Sequence, residues 1–244
     1  MSVTVVRRRT AVAPRPDPPP VPASRAVDHQ LVVHRLLRRE LPLLADLVTW
    51  APPDEAARTA MLTRHADLLG RVLRTHLALE RELLWPALLH ALPADAAATT
   101  RALLDGWDAR CAVVDAALRG VGTSGRQWAV ARSPRARDAF ALACLDLAAA
   151  VEVHTAAEER DLLPRVAACL PAAAWTAITR AARPGLSGRE RLLVLGLALE
   201  DASPAERARL LAGVGRGTRV LWRLVGRGRH RAAVVRLRGA PPAA

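Results

Sequence analysis

The sequence predicts an all-α protein, an up-down four-helix bundle with additional C-terminal helices. Beyond residue 22 the chain is rich in Ala, Leu and Arg, strong helix formers, and lacks the β-branched and aromatic alternation that strands need. Pro, Ser and Asp punctuation divides residues 24–170 into four long segments whose short connections make the first three antiparallel neighbours. With 244 residues, 51% of them hydrophobic, the chain can bury a core.

Residues 1–22 end in "PRPDPPPVP", an extended polyproline-type segment with little to bury, so 1–23 is expected to be a disordered tail. The bundle, 24–170, then begins with a helix from Ser24 to Trp50. A second runs from the "PPDE" start at Asp54 to Leu92, and a third from Asp95 to Arg119. The fourth opens at "SPRARD", where Ser133 caps and Pro134 takes the first helical position, and ends at Leu170. Between the third and fourth, "GVGTSG" fits the dinucleotide-binding glycine pattern. A helix-like "CAVVDAALR" precedes it where a strand is required, so it reads as a flexible interhelical loop. Residues 171–244 form a helical extension with a basic tail, expected to pack on the side of the bundle.

The net charge of +13 comes from the ends. Residues 1–25 hold five Arg against one Asp, and residues 205–238 hold ten Arg against one Glu, which leaves the middle neutral. A neutral body argues against a nucleic-acid-binding core, and no nucleic acid is expected as a partner. The basic tail is a possible peripheral contact for an acidic partner or an anionic membrane.

Three scattered cysteines, Cys111, Cys144 and Cys169, make neither a disulfide framework nor a Cys-rich zinc site, and a cytoplasmic location is expected. "VVRRRTAVAPRP" has the arginines of a twin-Arg signal, but prolines stand where an apolar stretch should follow. No uninterrupted apolar run reaches the length of a membrane span.

The chemistry sits in two repeats. "HLALERELLWP" from His76 and "HTAAEERDLLP" from His154 share a His-x3-Glu spacing and a proline ten residues after the histidine. Residues four apart lie one turn apart on one helix face, so His76 with Glu80, and His154 with Glu158, can each aim at one point. One such pair is commonly a surface hydrogen bond. Two pairs facing across a bundle suit iron, manganese or zinc, which accept nitrogen and oxygen donors together, and a carboxylate can bridge two ions. Calcium would want oxygens alone. Pro86 and Pro164 should kink both helices alike beyond the site.

On the first helix His34 shares the stripe of Leu31, Leu37, Leu41 and Leu44. On the third helix, which has no histidine, Asp108 is the nearest acidic candidate. His65 lies on the His76 face but roughly 16 Å away at 1.5 Å per residue, so it reads as a histidine hydrogen-bonded within the bundle. His90 and His230 read as surface residues.

At these residues the chain resembles the hemerythrin-like, or HHE cation-binding, domain family. "VVHRLLRRELPLLADLV", "HADLLGRVLRTHLALERELLWP" and "VEVHTAAEERDLLP" are similar to its first, second and fourth helix motifs, over about residues 28–170. "RLLVLGLALEDASPAERARLLAGV" resembles the extension of many actinobacterial members. The resemblance implies a non-haem iron site, di-iron or mononuclear, held by His34, His76, Glu80, His154 and Glu158 inside the bundle. The family usually has a histidine on the third helix, and the motif alignment puts Asp108 in its place, with Ala112 offering no donor one turn later.

The expected function is therefore metal binding, with iron that binds or senses dioxygen or a related small oxidant. No residue marks a substrate pocket, so an enzyme is not expected. The alternative is a metal-free helical scaffold that uses its basic C-terminal helices on a partner or an anionic membrane.

Overall fold

The computed structural model describes residues 24–182 and 185–239, and the tail expected over 1–23 lies outside them. Helix α1 spans Arg25–Thr49, and α2 spans Ala56–Leu79 and passes through a π turn, Glu80–Leu84, into α3, Trp85–Ala91. Helix α4 is Ala94–Ala131, α5 is Pro134–Asp161 and α6 is Leu163–Cys169. The long helices form a ring in which α1 packs on α2 and α5, and α4 packs on the same two, as the short connections require.

The starts follow from the sequence. Ser24 accepts a hydrogen bond from the Val27 N–H, and Ser133 accepts one from Ala136 with Pro134 at the first helical position, so both satisfy otherwise orphaned donors. Each long helix turns one stripe inward. On α1 the stripe includes Gln30, His34, Leu37, Leu41 and Leu44, and on α4 it runs Leu104, Trp107, Cys111, Val114, Leu118 and Val121.

The expected loop at "GVGTSG" is helix instead, and α4 continues to Ala131. Glycine costs about 1 kcal/mol per position inside a helix. That cost is outweighed by extending the buried stripe through Val121, Ser124, Gly125 and Trp128, with Gly125 placed against the Phe140 ring. The turn to α5 comes only at Arg132, a left-handed residue with φ 45°.

The two prolines do not act alike. Before Pro86 the Trp85 N–H reaches back five residues to the Glu80 carbonyl, a π turn that inserts one extra residue into the helix. Before Pro164 the helix breaks at Leu162 and restarts as α6. By length and composition α5 with α6, Pro134–Cys169, would be long and apolar enough to cross a membrane, but it turns Phe140, Cys144, Leu147 and Val151 into the bundle core.

The extension holds α7 (Ala172–Ala181), α8 (Gly188–Glu200), α9 (Pro204–Gly213) and α10 (Arg216–Leu221). A second π turn, Trp222–Gly226, leads into α11 (Arg227–Arg238). Capping boxes Ser187/Glu190 and Ser203/Glu206 start α8 and α9. Trp175, Ile178, Leu197, Val234 and Leu237 belong to the same hydrophobic core as the bundle. Polar contacts add to this seam: buried Glu40 of α1 receives Arg39, Arg238 and, at 3.2 Å, His65. Arg238 also bonds Glu200 at 2.7 Å, and His230 Nε2 lies 3.0 Å from Glu200. His230 is thus buried, in contrast to the surface position expected from its arginine-rich surroundings. His65 takes the bundle role expected of it.

Candidate metal centre

Each element delivers its polar side chain by the same register that buries its leucines. His34 stands on the α1 stripe one turn beyond Gln30. His76 lies in the last turn of α2, Glu80 opens the π turn, and His154 and Glu158 lie one turn apart on α5. All five predicted residues from these three helices are buried.

His34, His76, Glu80 and Glu158 offer ligand atoms that all lie within 4.8 Å of one another. His34 Nε2 and His76 Nε2 are 3.2 Å apart, and Glu158 Oε2 is 3.2 Å from His34 Nε2. Glu80 divides its carboxylate: Oε1 lies 2.8 Å from His76 Nε2, and Oε2 lies 3.8 Å from His154 Nε2.

Asp108 does not join them. It is exposed on α4, because the inward stripe passes through Trp107 and Cys111 and the next residue is turned about 100° away. Trp107 faces His154 edge-on at 6.0 Å between ring centroids. The Cys111 thiol is pushed up to about 12 by burial and by the Glu80 charge, so in the metal-free site it stays protonated at neutral pH. Helix α4 therefore contributes a wall of indole and thiol to the site.

Two polar residues were not among the candidates. Gln30 is fully buried, donates from Nε2 to Glu80 Oε1 at 2.8 Å, and reaches Glu158 Oε1 at 3.4 Å. Its place four residues before His34 is the signal that could have found it. Glu159 accepts from His34 Nδ1 at 2.8 Å and is itself held by Arg38 at 2.9 Å. That bond fixes the His34 tautomer with Nε2 turned to the centre, the usual support of a metal-binding histidine.

The electrostatics are those of two carboxylates sharing a buried pocket. Burial alone would lower the His34 pKa, but its contacts with Glu158 and Glu159 carry it up to about 9. Burial opposes ionisation of Glu80, but His76 and His154 outweigh it and hold this carboxyl well below its usual range. Burial and the neighbouring Glu80 charge push Glu158 the other way.

The donor set fits a transition-metal cation. Ligand atoms about 2.0–2.2 Å from one ion must lie within roughly 4.4 Å of each other, close to the spread here. Glu80 Oε2, Glu158 Oε2, His76 Nδ1 and both ring nitrogens of His154 are buried without an aligned hydrogen bond. Such orphaned atoms are costly unless something satisfies them. A cation would take lone pairs from several at once and relieve the repulsion between Glu80 and Glu158.

A helical bundle with a buried histidine and carboxylate cluster between three of its helices is the class that fold and site define. Residues 25–166 match the family described as the hemerythrin HHE cation-binding domain, and the chain belongs to that family. No curated protein and no solved structure matches the chain.

Proposed function

We propose that this centre holds non-haem iron, as one ion or two, and that the protein binds or senses dioxygen or a related small oxidant. The observation that carries the reading is the divided carboxylate of Glu80, one oxygen turned to His76 and the other to His154. His34, His76, Glu80 and Glu158 would hold one ion. His154 with the second Glu80 oxygen would add donors for a second ion. Iron bound by mixed nitrogen and oxygen donors supplies reversible one-electron chemistry and an open position for a small molecule.

The protein's own residues shape that position. Gln30 donates to Glu80 and orients it, Glu159 fixes the His34 tautomer, and Trp107 closes the α4 side with an apolar surface that keeps bulk water away. A reducing cytoplasm is part of the proposal, supported by three free cysteines, two of them buried.

The test is elemental analysis of protein purified without a metal-affinity column, with absorption spectra taken anaerobically and then in air. Stoichiometric iron and an oxygen-dependent absorption band are expected. No stoichiometric metal, even after anaerobic reconstitution with ferrous iron, would overturn the proposal.

A further inference from the structure

Helix α10, the second π turn and α11 form one rod from Arg216 to Arg238, about 34 Å long at 1.5 Å per residue. One side is buried through Trp222, Gly226, His230, Val234 and Leu237. It is held there because the His230 ring lies over Gly196 of α8, where no side chain intervenes, and because Arg238 reaches Glu40 and Glu200.

The opposite side is unusual for a protein surface. Leu224 is 77% exposed and Val220 54%, with Leu221 and Val235 also open to solvent. Leu221 and Leu224 before and within the π turn, and Gly228, Arg231 and Val235 on α11, are all exposed and line the solvent side of the rod as one ridge. Exposed Arg216, Arg223, Arg227, Arg229 and Arg236 accompany this ridge. Among the described residues none of these five, nor Arg231, pairs with a carboxylate, whereas Arg209 and Arg238 do. The sequence has no acidic residue between Arg207 and Gly239 that could neutralise them.

We propose that this face docks on the surface of an anionic lipid bilayer. Unpaired arginines meet the negative headgroups, and the ridge of Leu221, Leu224 and Val235 enters the boundary with the acyl chains. A nucleic acid would satisfy the arginines but leave the exposed Leu221 and Leu224 of the ridge unburied, whereas a bilayer accommodates both. The buried face already holds the π turn and α11 against α8, so the ridge is presented lengthwise with no unfolding. This surface is separate from the metal centre.

The test uses the full-length protein and co-sedimentation with two kinds of vesicle, phosphatidylcholine alone and phosphatidylcholine mixed with phosphatidylglycerol. Binding to the mixed vesicles only, weakened by salt, is expected. Each arginine near an anionic surface is worth about fivefold in partitioning, so the triple variant R223Q/R227Q/R231Q should bind about a hundredfold more weakly. Leu224→Glu should cost about tenfold or more by removing a buried apolar side chain. Both variants should keep their helicity, melting temperature and iron content, because the altered side chains are exposed. Absence of binding to mixed vesicles at low salt would overturn the proposal. So would unchanged vesicle binding by Leu224→Glu alongside tighter binding of duplex DNA or polyglutamate, which would make the face a site for soluble polyanions.

Discussion

The Nε2 atoms of His34 and His76, from two different helices, face one another at 3.2 Å in the interior of the bundle. Two imidazole Nε2 atoms meeting this way need a proton or a metal cation between them, since facing lone pairs repel. Replacing His76 by Ala removes one of the pair and a neighbour of Glu80. We expect metal content to fall to background in His76→Ala, and to drop clearly in His154→Ala. The helical signal in circular dichroism should survive, with a stability loss of about 1–3 kcal/mol from the unsatisfied partners. Full metal stoichiometry in both variants would remove these residues from the site.

Neighbouring positions on α4 should respond in opposite ways. Asp108 is exposed, so Asp108→His should leave metal content unchanged and stability within about 0.5 kcal/mol. Trp107→His would place an imidazole inside, beside His154, at a packing cost of about 3–5 kcal/mol for the lost indole. Elemental analysis and thermal melting of the two variants separate the cases. A gain of metal in Asp108→His would show that this helix turns in solution.

Glu159 acts on the centre through His34. In Glu159→Gln the Nδ1 partner loses its charge, and metal affinity should weaken about 10–100-fold while the metal-free fold is retained. Competition with a chromophoric chelator reads the change directly. Unaltered affinity would mean that His34 is oriented by packing alone.

Acid should loosen the seam between α1 and the extension. Burial would raise the Glu40 pKa, but His65, Arg238 and Arg39 outweigh it and hold the carboxyl below its ordinary value near 4.5. Burial would raise the Glu200 pKa too, but His230, Arg238 and Arg39 hold it below its ordinary value as well. A depressed carboxyl contributes stability that is complete above its ordinary value and is lost as pH falls through the lower folded one. The melting temperature should therefore be flat toward neutral pH and decline below about pH 4.5. Glu40→Gln should melt lower at pH 7 and show a shallower acid decline. Parallel curves for the two proteins would mean that other carboxyls govern the loss.

The local rules of a helix made most of the centre readable in advance. His76 with Glu80, and His154 with Glu158, needed only the four-residue repeat, and Ser24 and Ser133 announced their helices by caps. Part of what escaped depended on contacts between distant segments. His230 looked exposed among arginines because its partner Glu200 lies thirty residues earlier, on another helix. Asp108 has the right chemistry and the aligned place, but the stripe of Leu104, Trp107 and Cys111 points one residue aside. The glycines of "GVGTSG" suggested a break because their helix cost is local, while the burial of Val121 and Trp128 that offsets it is tertiary.

The five-residue reach from the Trp85 N–H to the Glu80 carbonyl ties the site to a count of residues as well as to their identity. A deletion of one residue between Glu80 and Trp85 would convert the turn to ordinary helix and leave His76 and Glu80 in register. Trp85 and Leu88 would stay on the core face, because the wide turn already absorbs the extra residue, whereas loss of a second residue would swing them by about 100° toward solvent. The stretch thus has two lengths that keep Glu80 and the hydrophobic floor beneath it in phase, the wide turn present here and a plain helix one residue shorter.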